Sequence, residues 1–314
     1  MDRKPKHITI FSRDDSKHFY FQQELVGRDD ITFIIGDVRD RESLARAFQT
    51  DVDIVIHAAA LKHVLICEQN PIEAVKTNIL GTQNVVDLAK DAGVQMMLMV
   101  STDKAVSPTS TMGASKYVAE KLTLDGNSTG DMLCACVRFG NVLDSAGSVV
   151  PTFRSQITAG GPVTVTHPDM ERFFMTIPEA VQLVLQAGAI GESGDVLILE
   201  MGQPVKIVDL ARDMIELSGL KYPDDIDIVF TGIRPGEKLT ETLFYDQELG
   251  ARKVHKQIYR APGSIPTRQH MADELARLER SLHGSRAEAI EALENVVRGL
   301  VVGEDPTRSL RSAA

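Results

Sequence analysis

Cysteine is scarce in this chain. Three residues, Cys67, Cys134 and Cys136, occur among 314, an odd count without a secretion signal, which implies reduced thiols rather than a disulfide framework. Cys134 and Cys136 sit at strand spacing in the apolar run Met132–Val137, and no second Cys or His pair completes a ligand set, so core filling is expected and no metal site. Long apolar runs are also missing, and none reaches the length needed to span a bilayer. The opening residues Met1–Lys6 are polar and basic, with no signal-like apolar stretch behind them, so the expected compartment is the cytoplasm. Positive charge is the minority sign: 34 Lys and Arg stand against 44 Asp and Glu, a formal net charge of −10. That excludes a sequence-independent grip on nucleic acid and otherwise reads as solubility.

The absence with the largest consequence is a glycine-rich loop. A dinucleotide-binding sheet opens with a strand, then G-x-G-x-x-G, then a helix whose N-terminus holds a pyrophosphate. Here the first strand-like run, Ile8–Phe11, leads into Ser12–Arg13–Asp14 without a glycine. Gly188, Gly191 and Gly194 have suggestive spacing but precede a strand, so they read as a loop. In the usual order the first strand is central, so leaving it out opens the sheet between its neighbours. The expectation is a fragment, a true start further upstream, or another polypeptide that supplies the piece.

What is present is an alternation. Ile8–Phe11, Ile31–Ile35, Ile54–Ile56, Met96–Val100 and Leu133–Val137 are short, nearly continuous apolar runs, as parallel strands covered on both faces require. Amphipathic stretches such as Asp40–Phe48 and Asn70–Lys90 lie between them. The second opens with Asn70 as cap, Pro71 at the first helical position and Glu73 completing a capping box. The fold class is therefore α/β: a doubly wound, parallel, Rossmann-type sheet lacking its usual first strand and glycine loop, with a smaller C-terminal substrate-binding part. Residues 1–150 form the incomplete dinucleotide-binding domain, 151–265 the substrate part, with strand-like Val196–Leu199 and Ile226–Phe230, and 266–314 a helical tail with helices near Gln269–Leu282 and Ser285–Leu300 and a frayed end from Glu304.

Polar residues collect where strands end, and the carboxyl edge of a parallel sheet is where ligands bind. Asp37 and Val38 follow one strand, and an acidic residue there accepts from an adenine amine as readily as it makes an ordinary turn. Ala58, Ala59 and Ala60 follow the next, where small side chains admit either a flat cofactor or a closely packed helix. Ser101, Thr102, Asp103 and Lys104 follow Met96–Val100 directly, a placement that favours a site over solvated loop. Met112 and Lys116 share a helical face at i, i+4. Lys116 is placed to reach a ribose, although a lone lysine on a solvated face is the commoner case. Arg138–Val142 again ends a strand in polar groups, followed by Gly147–Pro151. Arg172 and Arg234 are candidate anion partners or surface ion-pair members. Pro235–Gly236–Glu237 reads as a turn into a helix, with Glu237 near its positive end.

Taken in order, HAAALKHV at 57–64, KTNILGTQNV at 76–85, STDKAVSP at 101–108, MGASK at 112–116, RFGNV at 138–142, GSVVP at 147–151 and IRPGEK at 233–238 resemble the UDP-N-acetylglucosamine 4,6-dehydratases. These are extended short-chain dehydrogenase/reductases of bacterial capsule, O-antigen and flagellin-glycan synthesis, and the resemblance covers about residues 7–245. It implies bound NAD or NADP, UDP-N-acetylglucosamine as substrate, transient oxidation at C4, removal of the C5 proton and loss of the C6 hydroxyl as water. It assigns Lys104 as the C5 base, its ammonium weakened by Lys116 and the cofactor's positive ring, and Asp103 as the acid for the leaving hydroxyl. It gives Thr102 to the C4 hydroxyl and Lys116 to the nicotinamide ribose. Arg13, Asp37, Val38, Ala58, Ala59, Ala60, Asn78 and Ser101 fall to the cofactor. Lys62, Asn141, Val149, Arg172, Arg234 and Glu237 fall to the substrate, with the two arginines on the diphosphate. A homo-oligomer is compatible with it and not required by it.

Two departures matter. The superfamily's Tyr-x-x-x-Lys stands here as Met112-x-x-x-Lys116, and methionine carries no proton, so the C4 proton falls to Asp103 or water; the larger, membrane-anchored family members resemble the same arrangement. The other departure is the missing glycine loop. The competing expectations are a UDP-sugar epimerase, which oxidises C4 without losing water, and a truncated, non-catalytic nucleotide-sugar-binding fragment.

Overall fold

The computed structural model describes residues 4–126, 131–248, 250–263 and 268–301. The apolar runs form strands at the expected places: β1 (Ile8–Ser12), β2 (Ile31–Ile35), β3 (Ile54–His57), β4 (Met96–Val100) and β5 (Leu133–Arg138). β3, β4 and β5 are parallel and in register, with Ile56 opposite Leu98 and Leu98 opposite Ala135. The strand Asp195–Leu199 pairs parallel with β5, and Ile258–Pro262 and Arg252–His255 extend the sheet antiparallel to six strands. The run Val196–Leu199, expected in the smaller part, is thus a strand of the central sheet. Its five residues are all buried, and sequence position alone does not show where a chain returns.

The sheet stops at β3. β1 and β2 form a separate two-stranded parallel ribbon, and among the described residues no strand pairs with the free edge of β3 or the second edge of β1. This is the opening expected where a central strand is left out. Ile8–Ser12 pairs with Ile31–Ile35 along its whole length and, among the described residues, with no strand of the central sheet. The apolar faces near the break are left wet: Ile54 is 58% and Ile56 47% exposed, unusual for a parallel strand.

The helix Thr111–Asp125 is buried from Thr111 to Leu124. One side meets the sheet. The other is covered by the C-terminal pair Arg268–Ser281 and Arg286–Val301, whose Leu275, Leu278, Leu293 and Val296 share a core with Tyr117, Val118 and Leu122. The expected tail is therefore a docked layer; the expected frayed end lies outside the described residues. A second core, around Phe153, Ile157, Val165, Ile215 and Ile228, unites the helices Val149–Thr158 and Ile207–Leu217 with the parallel pair Val163–Val165 and Ile228–Phe230. That is the smaller part of the molecule. No helix among the described residues is long and apolar enough to cross a membrane.

Three local expectations change. Asn70 precedes the helix that begins at Pro71, but its side chain donates back to Ile66 O at 3.0 Å instead of capping, and Glu73 pairs with Arg39 and Lys76, so no capping box forms. The turn at Pro235–Gly236–Glu237 closes on itself, Glu237 accepting from Arg234 N at 3.2 Å, and no helix follows. Gly188 lies inside the helix Ile177–Ile190, so only Gly191 and Gly194 belong to the loop.

A two-stranded ribbon is marginal by itself. In hydrogen exchange at low denaturant, peptides covering 8–12 and 31–35 should lose protection well before those covering 96–100 and 133–138. Loss in a single step across all four would mean that the ribbon is held as firmly as the central sheet.

Candidate active site

Beyond the carboxyl ends of β3, β4 and β5 lies a cavity of about 370 Å³. Parallel neighbours end at the same level, so their following loops are brought together: Asp103 N donates to Phe139 O at 3.0 Å, locking the loop after β4 to the loop after β5. Thr102, Asp103 and Lys104 then turn in a single 3-10 coil, with Thr102 accepting from Lys104 N. The helix beginning at Thr111 presses on this coil. Gly113 is needed there, since a Cβ at that position would run into the Lys104 carbonyl. Ser110 caps the helix through Gly113 N at 3.0 Å.

The chemistry-bearing contacts are short. Lys104 Nζ donates to Asp103 Oδ1 at 2.9 Å and to Asn141 Oδ1 at 2.9 Å. Asp103 is fully buried; its Oδ1 also accepts from Thr102 Oγ1 at 2.9 Å, while its Oδ2 has no hydrogen-bond partner. Lys104 Nζ is thus held between two side-chain acceptors. Lys116 is buried at the cavity wall and donates to Val100 O at 2.8 Å. Burial pushes its ammonium down to about 8, against the opposing pull of Glu120. His57, at the end of β3, bonds Thr82 at 2.9 Å and is pushed down to about 3 by burial and then by the charge of Lys116, so it is a neutral packing element. Met112 lines the cavity, backed by Cys67, Ala74 and Leu61.

Of the residues expected from the sequence, Ala58, Ala60, Lys62, Ser101, Thr102, Lys104, Met112, Lys116, Asn141 and Val149 line this cavity, and Asp103 lies directly behind it. The others do not line it. Asp37 is engaged by Arg39 and, at 3.5 Å, by Arg13, on the β1–β2 side of the opening; the Arg39 guanidinium, aided by Arg13, holds its carboxyl below the usual range despite partial burial. Val38 is buried against Gly81, and Ala59 is absent from the wall. Asn78 sits in the π-helical turn Val75–Leu80 and spends its amide on Leu61 N and O and on Ser115 Oγ, at 2.7–3.0 Å, bracing the 58–63 loop against the helix at Thr111. Arg172 is buried and donates to Glu171 O and Leu239 O. Arg234 and Glu237 bond each other in their exposed turn.

Residues that sequence reasoning missed also line the wall. His63 faces Gly147, where a Cβ would strike its ring, and Gly147 adopts φ +69°, which favours glycine. Ser145 receives Lys62 Nζ at 3.4 Å. Ser148 begins the helix Val149–Thr158 without capping it, and its Oγ has no partner. The phrase GSVVP carried a signal for Ser148; nothing pointed to Ser145.

The model of the polysaccharide biosynthesis protein family matches residues 1–263. The capsular polysaccharide biosynthesis protein CapD of Staphylococcus aureus is 47% identical over 262 residues, which is 82% of this chain and 44% of CapD. The chain therefore spans less than half the length of that relative. A UDP-glucose 4-epimerase of Rickettsia rickettsii is 39% identical over 261 residues, 82% of this chain and 74% of that protein. Among solved structures, Pen from Bacillus thuringiensis superposes with a TM-score of 0.78 at 38% identity, covering 83% of this chain and 81% of Pen. The dTDP-glucose 4,6-dehydratase DesIV of Streptomyces venezuelae, solved with NAD and DAU bound, gives a TM-score of 0.69 at 21% identity, covering 93% of this chain and 92% of DesIV, a likeness of fold.

The depressed Lys116 ammonium leads to a stability test. Between pH 8 and the ordinary lysine value of 10.5 the folded chain carries the neutral amine while the unfolded chain still binds the proton, so folding gains stability as pH rises. Chemical denaturation should show the Lys116→Met variant losing ground to the parent across that window, by on the order of 3 kcal/mol. A difference independent of pH would mean that Lys116 is not desolvated.

Proposed function

The chain belongs to the polysaccharide biosynthesis protein family, and from that premise we propose that it is the catalytic part of a nucleotide-sugar 4,6-dehydratase that acts on UDP-N-acetylglucosamine with NAD or NADP. The observation that carries the reading is the 2.9 Å contact between Lys104 Nζ and Asp103 Oδ1 at a cavity wall. An ammonium–carboxylate pair, with its proton moved from nitrogen to oxygen, is a neutral amine beside a carboxylic acid. Those are the base and the acid that an elimination across C5 and C6 requires.

The residues fit the nicotinamide-ribose end of the cofactor. Lys116 offers a buried ammonium at the wall, and Ala58 and Ala60 leave room beside it. Bound there, the cofactor would take a hydride from C4 and return one to C6. Thr102 would hold the C4 hydroxyl, and the helix face at Lys116 would keep that end dry. The ketone at C4 would acidify C5; Lys104 would accept the C5 proton, Asp103 would give its proton to the C6 hydroxyl, and water would leave. Return of hydride to C6 would be matched by return of the Lys104 proton to C5, and the proton released by the C4 hydroxyl would then restore the ammonium–carboxylate pair, so the protons balance. Met112 contributes shape alone, so the C4 hydroxyl proton falls to Asp103 or water. Lys62 and Asn141 would contact the sugar and Val149 the uridine diphosphate side. Asp37 and Arg13, across the opening from β3, would meet the adenosine.

The second reading, a UDP-sugar epimerase, has the named Rickettsia relative in its favour. In the intact natural polypeptide, UDP-N-acetylglucosamine should be converted to a 4-keto-6-deoxy product, seen by mass spectrometry as loss of one water without net consumption of cofactor. A product of unchanged mass would instead establish the epimerase. Lys104→Ala should abolish water loss and solvent deuterium exchange at C5 while leaving cofactor affinity within a few-fold. Exchange at the parent rate would remove Lys104 from the role of base.

A further inference from the structure

Glu241 forms no part of the cavity wall and is 4% exposed. Its Oε1 lies 3.9 Å from Lys104 Nζ and 3.9 Å from Arg172 Nη2, and its Oε2 lies 3.9 Å from Lys238 Nζ. At these separations the contacts are ionic and not hydrogen bonds, and Oε2 has no hydrogen-bond partner. Two of the cations are fixed by backbone carbonyls instead. Lys238 donates to Val106 O at 2.8 Å, and Arg172 to Glu171 O at 2.6 Å and Leu239 O at 3.1 Å. Glu241 is therefore a buried negative charge set among three positive groups that do not need it for their hydrogen bonds. Its influence on geometry is small and its influence on charge is large, because fields are weakly screened away from water.

We infer that Glu241 is a positioning residue whose charge, balanced by Lys238, sets where the shared proton of the Asp103–Lys104 pair resides. Lys104 is faced by Asp103 from its own turn, by Glu241 from the segment after Lys238, and by the neutral amide of Asn141. Glu241 is faced by Lys104, by Arg172 from the short strand Glu171–Arg172, and by Lys238. Lys238 reports the same coupling: burial pushes its ammonium down, Glu241 and Asp103 pull it back up, and Lys104 and Arg172 push it further down. A negative charge behind Lys104 favours the ammonium at rest; Lys238, by neutralising part of that charge, brings the amine within reach. The bearing of this on elimination rests on Lys104 being the C5 base; the coupling of charges does not.

Acetylation of the intact protein with acetic anhydride across a pH series, with the Lys104 peptide quantified by mass spectrometry, reads the free-amine fraction directly. In Glu241→Gln the pH of half-maximal acetylation at Lys104 should fall by about one unit, the size expected for loss of one nearby opposite charge. In Lys238→Met it should rise. In Glu241→Asp it should stay close to the parent. Opposite shifts from two neighbouring substitutions are not produced by loosened packing. If Glu241→Gln does not fold, as thermal melting will tell, Lys238→Met decides alone. An unmoved midpoint in the folded variants overturns the inference. Shifted midpoints in a protein that removes no water from UDP-N-acetylglucosamine would uphold the coupling and overturn only the proposed reaction.

Discussion

The parallel pairing of β4 with β5 is the constraint on which the site depends. Because both strands run the same way and end at the same level, the loop after Val100 and the loop after Arg138 meet, and the backbone bond from Asp103 to Phe139 fixes them together. Lys104 can then hold Asp103 and Asn141 at once, two acceptors 38 residues apart in the chain at their nearest. Neither loop could place these groups alone. The helix at Thr111 adds the third side, admitted close to Lys104 by Gly113, and brings Lys116 to the same wall. The C-terminal helical pair matters to the site through this helix, since it covers the face that the sheet does not.

Burial within this arrangement works differently on each ionisable group. Lys116 has only a carbonyl as a direct partner, so desolvation dominates and its ammonium is weakened. Lys104 meets carboxylates. Arg138 at the end of β5, also buried, is matched by Glu120 and Glu248, whose charges outweigh the cost of burying the guanidinium and raise its affinity for the proton. The contrast separates a charge paired on two sides from one with a side open to the cavity.

The break in pairing separates the β1–β2 ribbon from the six-stranded sheet, although Phe11 and Val38 still share a core with Val55, Met97 and Cys134. On one side lie the intact sheet and the cavity. On the other lies a ribbon carrying Asp37 and Arg13, two residues expected at the cofactor and now found paired with each other. The split leaves Ile54 and Ile56 in water, where a parallel sheet would cover them.

The sequence by itself determined the parallel strands, the helix carrying Met112 and Lys116, and the polar phrases at strand ends, because apolar runs and local polar clusters are short-range signals. The lack of a glycine-rich loop after the first strand was legible in the same way. Only the tertiary structure decided which phrases meet. Glu241 lies in a loop with no periodicity, and its importance comes from Lys104, Arg172 and Lys238 arriving from three places in the chain. Asn78 looked like a ligand residue, but a π-helical turn aims its amide at Leu61 and Ser115. Arg172, expected at the diphosphate, is buried with Glu171 O, Leu239 O and the Glu241 carboxylate beside it. A residue type states what chemistry is available, whereas its burial and its partners across the fold decide what that chemistry is used for.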